Sequence, residues 1–176
     1  QWLSPEEFRF VHIAVQAYFA ASRLAAETDR LVANARDAWW EPVIVLAVGF
    51  LGDAGALIDG LVEAGHTTLA GLALAETREP APALVERVQS RLLETFGQTS
   101  TEADRAAAIA LAGLVGVESV RRTGIVSPVL AALANGTEPA RRAAAAALGR
   151  IGDPSAIPAL LNALGDEGEP VRRAAS

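Results

Sequence analysis

A seven-residue segment that occurs twice near the end of the chain constrains the fold more than any other feature. Residues 138–144 read EPARRAA, and residues 169–175, which begin 31 positions later, read EPVRRAA, with six of seven residues identical. A unit that recurs at such a period is typical of a helical solenoid, in which each repeat is a pair of helices that buries its apolar faces against stacked neighbours. The sequence therefore predicts an all-α fold, an alpha-alpha superhelix of helical repeats.

The first half of the repeat is predicted to be an alanine-rich helix. Proline is tolerated in the first turn of a helix, so Pro139 indicates a helix start at Glu138, with Thr137 as the capping side chain. The helical period places several apolar residues on one buried face, namely Ala140, Ala144, Ala147, Leu148 and Ile151. Their small side chains allow neighbouring helices to approach closely.

The second half of the repeat is a turn followed by another helix. The turn is Asp153-Pro154, and Ser155 is predicted to cap the helix that follows. The predicted apolar stripe of this helix consists of Ile157, Leu160, Leu161 and Leu164. An earlier and weaker copy of the repeat, residues 101–116, aligns with residues 137–152 at an offset of 36.

Composition excludes several classes of function. The chain has no cysteine and all fifteen of its basic residues are arginine, so cysteine chemistry, lysine Schiff bases and Walker-type phosphate loops are ruled out. Its net charge of −6 argues against a nucleic-acid or anionic-membrane partner. The longest apolar run, residues 42–52, is too short to span a bilayer. We therefore expect a cytoplasmic protein.

Residues 101–176 resemble the HEAT-like repeat, in particular its short bacterial form known from phycobilisome lyases. The resemblance is carried by three patterns in a fixed order: Pro-x-Arg-Arg-x-Ala, then LGRIGDP at residues 148–154, then AIPAL at residues 156–160. Members of that family act in most settings as protein-interaction scaffolds. The resemblance thus implies a protein ligand.

The start of the chain resembles a second family. Residues 8–21, FRFVHIAVQAYFAA, are similar to the motif that closes the nucleotide-binding region of NACHT-type STAND NTPases, although Ala17 replaces the usual glutamate. Residues 40–51 resemble the next helix of that family. The resemblance implies that His12 belongs to a winged-helix subdomain and contacts the phosphate of ADP in an intact parent protein. The cofactors of that parent would be ATP and ADP, whereas the chain itself is expected to bind none.

These patterns divide the chain into three predicted segments. Residues 1–36 would be the tail of the winged-helix region, residues 37–100 degenerate helical pairs, and residues 101–176 the HEAT-like repeats. Residues 8–10 alternate as in a short strand, and a helix is predicted from Val11 to about Arg30. One face of this helix consists of Val11, Val15, Tyr18, Phe19 and Ser22, followed by Ala25 and Ala26. Since the chain starts without methionine and stops inside a further repeat, we expect a fragment cut at both ends.

Two kinds of candidate site residue follow, each with a structural alternative. His12 either contacts nucleotide or packs at a strand–helix junction. Three arginine pairs either form a basic ridge for an acidic partner, or place one arginine on the turn aspartate or the helix C-terminus of the adjacent repeat and leave the other in solvent: Arg121, Arg122, Arg141, Arg142, Arg172 and Arg173. No metal site is predicted, since His66 has no partner at ligand spacing.

The preferred hypothesis is a non-enzymatic, ligand-sensing or autoinhibitory solenoid from a bacterial NACHT-type STAND NTPase, active in antiphage defence or signalling. Its partner would be a protein ligand or the NTPase module of the same parent, which could itself be an ATPase switch. The alternative is a free-standing HEAT-like adaptor. A HEAT-like enzyme, such as a chromophore lyase or a DNA glycosylase, is disfavoured because no catalytic constellation is present.

Overall fold

The computed structural model describes residues 12–95, 101–114 and 125–176. These residues contain eleven α-helices and two short 3₁₀ turns, at Ala38–Trp40 and Pro154–Ala156. The helices are α1 (Ile13–Leu24), α2 (Thr28–Ala33), α3 (Glu41–Val48), α4 (Gly55–Glu63), α5 (Thr67–Ala75), α6 (Pro82–Glu94), α7 (Thr101–Leu114), α8 (Val126–Asn135), α9 (Glu138–Ile151), α10 (Ile157–Ala163) and α11 (Glu169–Ala175).

The helices form two stacked layers. Each odd-numbered helix packs against the next odd-numbered one, from α1 through α11, and the even-numbered helices from α2 to α10 do the same. Contacts between the layers join α4 with α5, α5 with α6, and α8 with α9. The predicted all-α superhelix is therefore confirmed, while the strand predicted at residues 8–10 lies outside the described residues. The limits of the three predicted segments stay predictions.

Alanine dominates the core of the odd-numbered layer, as the repeat predicted. In α9, which lies between α7 and α11, the buried side chains are Ala140, Ala143, Ala144, Ala145, Ala147 and Leu148. Two of these alanines were not on the predicted face, and Ile151 is only half-buried. The buried face is wider than a single stripe because α9 contacts α8 as well as both neighbours in its own layer.

The predicted helix from Val11 to Arg30 is wrong in its extent, and most of the described residues on its predicted face are exposed, although Ala25 is buried. Two helices occupy this region, with a break between Leu24 and Thr28. The buried residues of α1 are Ala17 and Ala21, whereas Val15, Tyr18 and Phe19 are exposed. Small side chains face α3 because they permit close packing of the two helices, and the larger side chains are left outside.

Two predicted helix caps are also wrong. The side chain of Thr137 makes no capping hydrogen bond at the start of α9. At the Asp153-Pro154 turn the cap is Asp153, whose Oδ1 accepts from the backbone N–H of Ser155 at 2.8 Å. A carboxylate outcompetes the serine hydroxyl here because it can accept two residues ahead while Pro154 begins the 3₁₀ turn.

The predicted apolar stripe of α10 is only partly buried. Ile157, Leu161 and Leu164 are 53%, 62% and 43% exposed, while Leu160 is half-buried against the core. Among the described helices of its own layer, α10 packs against α8, and the three leucine and isoleucine side chains on its other side are exposed. No described helix is both long enough and apolar enough to cross a membrane.

Candidate functional site

The geometry that joins consecutive repeats is an arginine–aspartate pair. Arg141 extends from α9 to Asp166, which lies in the loop between α10 and α11. Its Nε donates to Oδ2 at 2.8 Å and its Nη2 donates to Oδ1 at 2.9 Å, so the contact is bidentate. The third nitrogen, Nη1, donates to the carbonyl of Gly136 at 3.1 Å. The planar guanidinium thus ties the loop before its own helix to the loop of the next repeat.

The pair of Arg141 and Asp166 is more buried than the other ion pairs and is supported by a further hydrogen bond to Asp166. The side chains of Arg141 and Asp166 are 23% and 13% exposed, well below the other ion pairs of the described residues. The hydrogen bond from Arg141, together with that from the backbone N–H of Gly168 at 2.8 Å, lowers the pKa of Asp166 to about 2. The same side-chain hydrogen bond raises the pKa of Arg141. Asp166 is therefore charged throughout the physiological range.

Arg172 repeats half of this arrangement one unit later. Its Nη1 donates to the carbonyls of Asp166 at 2.7 Å and Glu167 at 2.9 Å. Glu167 follows Gly136 by 31 positions, as Arg172 follows Arg141, so the contact with the preceding loop is conserved between the two units. Nε and Nη2 of Arg172 have no hydrogen-bond partner among the described residues, in contrast to the same atoms of Arg141.

The remaining arginines of the three pairs behave differently. Arg173 is 77% exposed and pairs with Glu169 on the same helix, where solvent weakens the interaction. Arg142 is half-buried. Arg121 and Arg122 lie outside the described residues. Of the two readings of the pairs, the structural one describes Arg141, since it reaches the turn aspartate of the adjacent repeat. A basic ridge for an acidic partner stays a prediction.

His12 is exposed and caps α1. Its Nδ1 accepts a hydrogen bond from the backbone N–H of Ala14 at 3.2 Å. A neutral imidazole that accepts at Nδ1 carries its proton at Nε2, so the outer edge of the ring is a hydrogen-bond donor. The role of His12 in contacting a nucleotide remains a prediction.

Two pairs of aromatic side chains near α1 and α3 are partly exposed, which the helical periodicity did not predict. Tyr18 of α1 and Phe50, just after α3, meet edge to face with ring centroids 5.3 Å apart. They remain 49% and 42% exposed. Trp39 and Trp40 also meet edge to face; Trp40 packs against the core, whereas Trp39 is 37% exposed. Helical periodicity failed here because it counts apolar residues and does not weigh their size.

A groove runs along one edge of the middle repeats. It has a volume of about 410 Å³, and its lining includes Arg36 before α3, Glu41 at the start of α3, His66 before α5 and Thr95 after α6. Its charged groups are of both signs, so the groove does not favour one ligand class. Within the described residues, no cluster of three histidine, aspartate or glutamate side chains could hold a metal ion.

Comparison with known proteins supports the repeat architecture. Residues 89–176, half of the chain, match the family of HEAT repeats. Among solved structures, a designed armadillo repeat protein in complex with the peptide (KR)4 is 18% identical, with 92% of this chain and 88% of that chain covered and a TM-score of 0.36. An engineered protein from a structural genomics consortium is 16% identical, with 92% and 85% covered and a TM-score of 0.36. No curated protein matches the chain.

Proposed function

The chain belongs to the HEAT-repeat family, and from that premise we propose that it is a non-catalytic scaffold that binds a protein ligand. The observation that carries the proposal is the exposed aromatic pair of Tyr18, in α1, and Phe50, in the turn that follows α3. Tyrosine and other aromatic side chains are enriched among the residues that dominate binding energy at protein interfaces. Because the stacked layers already hold these side chains in place, little conformational entropy is lost when a ligand binds them.

The scaffold proposal is tested by capture with paired surface variants. Immobilised chain is incubated with an extract of the source organism, and captured proteins are compared with those held by Phe50→Asp and by the control Ser22→Asp. Both positions are exposed and receive the same charge, but only Phe50 belongs to the aromatic pair. We expect a specific protein to be retained by the unchanged chain and by Ser22→Asp and lost with Phe50→Asp.

Circular dichroism of both variants checks that the helices are intact. If nothing is captured, or if the two variants lose the same protein to the same degree, the aromatic pair is not the contact surface.

The finer proposal concerns the parent protein. The motif around His12 supports a role as the sensor or autoinhibitory solenoid of a cytoplasmic STAND NTPase in antiphage defence or signalling. Its parent would bind ATP or ADP, and the solenoid would contact either a protein ligand or the NTPase module of the same molecule. A ligand that binds the solenoid more tightly in one state of the parent would shift the parent toward that state.

His12 gives this finer proposal a direct test. Because Nδ1 already caps α1, only the Nε2 edge is available to donate to a phosphate. The protein encoded by the full reading frame is measured for ADP retention, beside His12→Asn and His66→Ala. Asparagine at position 12 keeps an oxygen that can cap α1 but lacks the Nε2–H donor of the imidazole ring. We therefore expect faster release of ADP only in His12→Asn.

The outcome separates the two levels of the proposal. Equal retention in all three proteins removes His12 from the nucleotide site. Absence of ADP or ATP binding by the encoded protein refutes the STAND parent and leaves the scaffold proposal standing.

A further inference from the structure

Helix α3 and the turn that follows it share one register with α9 and its turn, at an offset of 100 residues. Four buried positions of α3 are also buried in α9: Val43 and Ala143, Ile44 and Ala144, Ala47 and Ala147, Val48 and Leu148. In the turns that follow, Oδ1 of Asp53 and Oδ1 of Asp153 each accept from the backbone N–H two residues ahead, at 2.8 Å. The two helices are therefore equivalent parts of two repeats, and their contacts can be compared position by position.

The loop before α5 keeps the same register with the loop before α11. The backbone N–H of the glycine in each loop donates to the carbonyl three residues earlier, at 3.1 Å for Gly65 and 3.0 Å for Gly165. The residues that follow these glycines are His66 and Asp166. His66 thus stands where the later repeat has the aspartate that pairs with arginine.

The contact between Arg141 and Asp166 has no counterpart in this earlier part of the chain. Glu41 stands at the position of Arg141. The side chains of Glu41 and His66 make no hydrogen bond or ion pair with any residue that the structure describes. Both line the groove of about 410 Å³. The groove therefore lies where, in the later repeat, a guanidinium group joins two consecutive loops.

The lining of the groove offers acceptors for a guanidinium group. Glu41 is exposed, so its carboxylate is open to two parallel hydrogen bonds from a ligand. Thr67 and Thr68 also line the groove, and within the described ranges neither hydroxyl group makes a hydrogen bond. Although the charged groups of the groove are of both signs, its place in the repeat selects a ligand: the planar group that fills the equivalent place beside α9.

We propose that the groove binds the guanidinium group of an arginine side chain that a partner protein supplies. Glu41 accepts the hydrogen bonds that Asp166 accepts in the later repeat, and the arginine comes from the ligand instead of from the helix. Glu41 begins α3, whereas Phe50 of the aromatic pair follows the end of that helix, so this is a second contact site. The inference rests on the proposed function only in that the arginine belongs to a protein ligand.

NMR titration of the isotope-labelled chain with the blocked peptide acetyl-Gly-Arg-Gly-amide tests the proposal. We expect the amide signals of Gly65 and Thr67 to shift and to saturate at roughly millimolar peptide, as for a contact made by one side chain. The signals of Gly165 and Gly168 should stay in place, because Arg141 already occupies that site. The lysine peptide acetyl-Gly-Lys-Gly-amide should bind at least about threefold more weakly, since an ammonium group cannot make the bidentate contact.

Substitutions in the groove separate the roles of its charges. Glu41→Gln should weaken binding of the arginine peptide at least about threefold, whereas Glu86→Gln, which removes an exposed carboxylate of α6 outside the groove, should leave it unchanged. Arg36→Gln should strengthen binding, because it removes a like charge from the lining. The double variant Glu41→Arg, His66→Asp copies the later pair, so it should raise the urea midpoint and abolish peptide binding.

Signals of Gly65 and Thr67 that do not move, or that move equally with the arginine and lysine peptides, would overturn the proposal. Equal affinities of Glu41→Gln and Glu86→Gln would do the same. Binding of free arginine without binding of the blocked peptide would overturn the assignment to a protein partner. The peptide is added directly, so none of these results depends on capture through the aromatic pair, and the failure of one proposal is distinguishable from the failure of the other.

Discussion

A close contact between α5 and α7, two helices of the odd-numbered layer, gives a quantitative test of the fold. A methyl group added at Gly71 of α5 would lie 2.9 Å from Cβ of Ala110 in α7 and 2.9 Å from Cδ1 of Leu92 in α6. Carbon atoms prefer separations of about 3.5–4.0 Å, so both contacts are too short by more than half an ångström. Leu92 can rotate away, but Cβ of Ala110 moves only with its helix. Gly71→Ala should therefore push α5 and α7 apart.

The magnitude follows from two opposing effects. Overpacking a core position typically costs about 1–3 kcal/mol, and replacing a helical glycine by alanine returns about 1 kcal/mol through helix propensity. Gly149→Ala in α9 is the matched control, because an added methyl there meets nothing within 4 Å. We expect Gly149→Ala to raise the free energy of unfolding by about 1 kcal/mol. Gly71→Ala should fall below Gly149→Ala by the whole overpacking cost, about 1–3 kcal/mol.

Urea unfolding followed by circular dichroism measures both variants against the unchanged chain. The comparison uses the transition midpoint and the slope, since a repeat protein can unfold in more than one step. If Gly71→Ala is stabilised as much as Gly149→Ala, the close approach of α5 and α7 is refuted, and with it the account of how alanine and glycine set the spacing of the layer.

Three further substitutions test separate contacts. Because the pKa of Asp166 is lowered from 3.8 to about 2, the stability contributed by its ionised form is complete above pH 3.8 and is lost as pH falls toward 2. The urea midpoints of the unchanged chain and of Asp166→Asn should therefore approach each other as pH falls over that interval. A difference between the two midpoints that stays constant would contradict the pairing of Asp166 with Arg141. Gly152 ends α9 with φ of +68°, so Gly152→Ala should cost about 1 kcal/mol, unlike Gly149→Ala. Nε2 of Gln89 is buried and has no hydrogen-bond acceptor in the described part of the chain. Gln89→Leu should therefore raise the free energy of unfolding by about 1–2 kcal/mol. A urea midpoint of Gln89→Leu below that of the unchanged chain would show that Gln89 makes a stabilising hydrogen bond.

The repeat was predictable from sequence because its signals are local. Pro139 and Pro170 each occupy the first turn of a helix, and Gly152 adopts the left-handed conformation that ends α9. Such residues report on backbone geometry within a few positions, without reference to the rest of the fold. The caps were less predictable, because Asp153 and Ser155 both offer oxygen acceptors and their geometry decided between them.

The surfaces were predicted less well than the helices, because exposure depends on neighbours that periodicity does not identify. Leu161 in α10 has the helical spacing of a core residue, yet it is largely exposed, since α10 has a neighbour on only one side within its layer.

The repeat helps to predict contacts that helical periodicity alone does not, as the arginine–aspartate pair between repeats shows. Arg141 and Arg172 occupy the same position in consecutive units, so their local contacts with the preceding loop agree. What differs is the presence of Asp166 beside Arg141, which depends on the next unit along the solenoid. In a protein built from stacked units, each surface is thus defined by the unit that follows it.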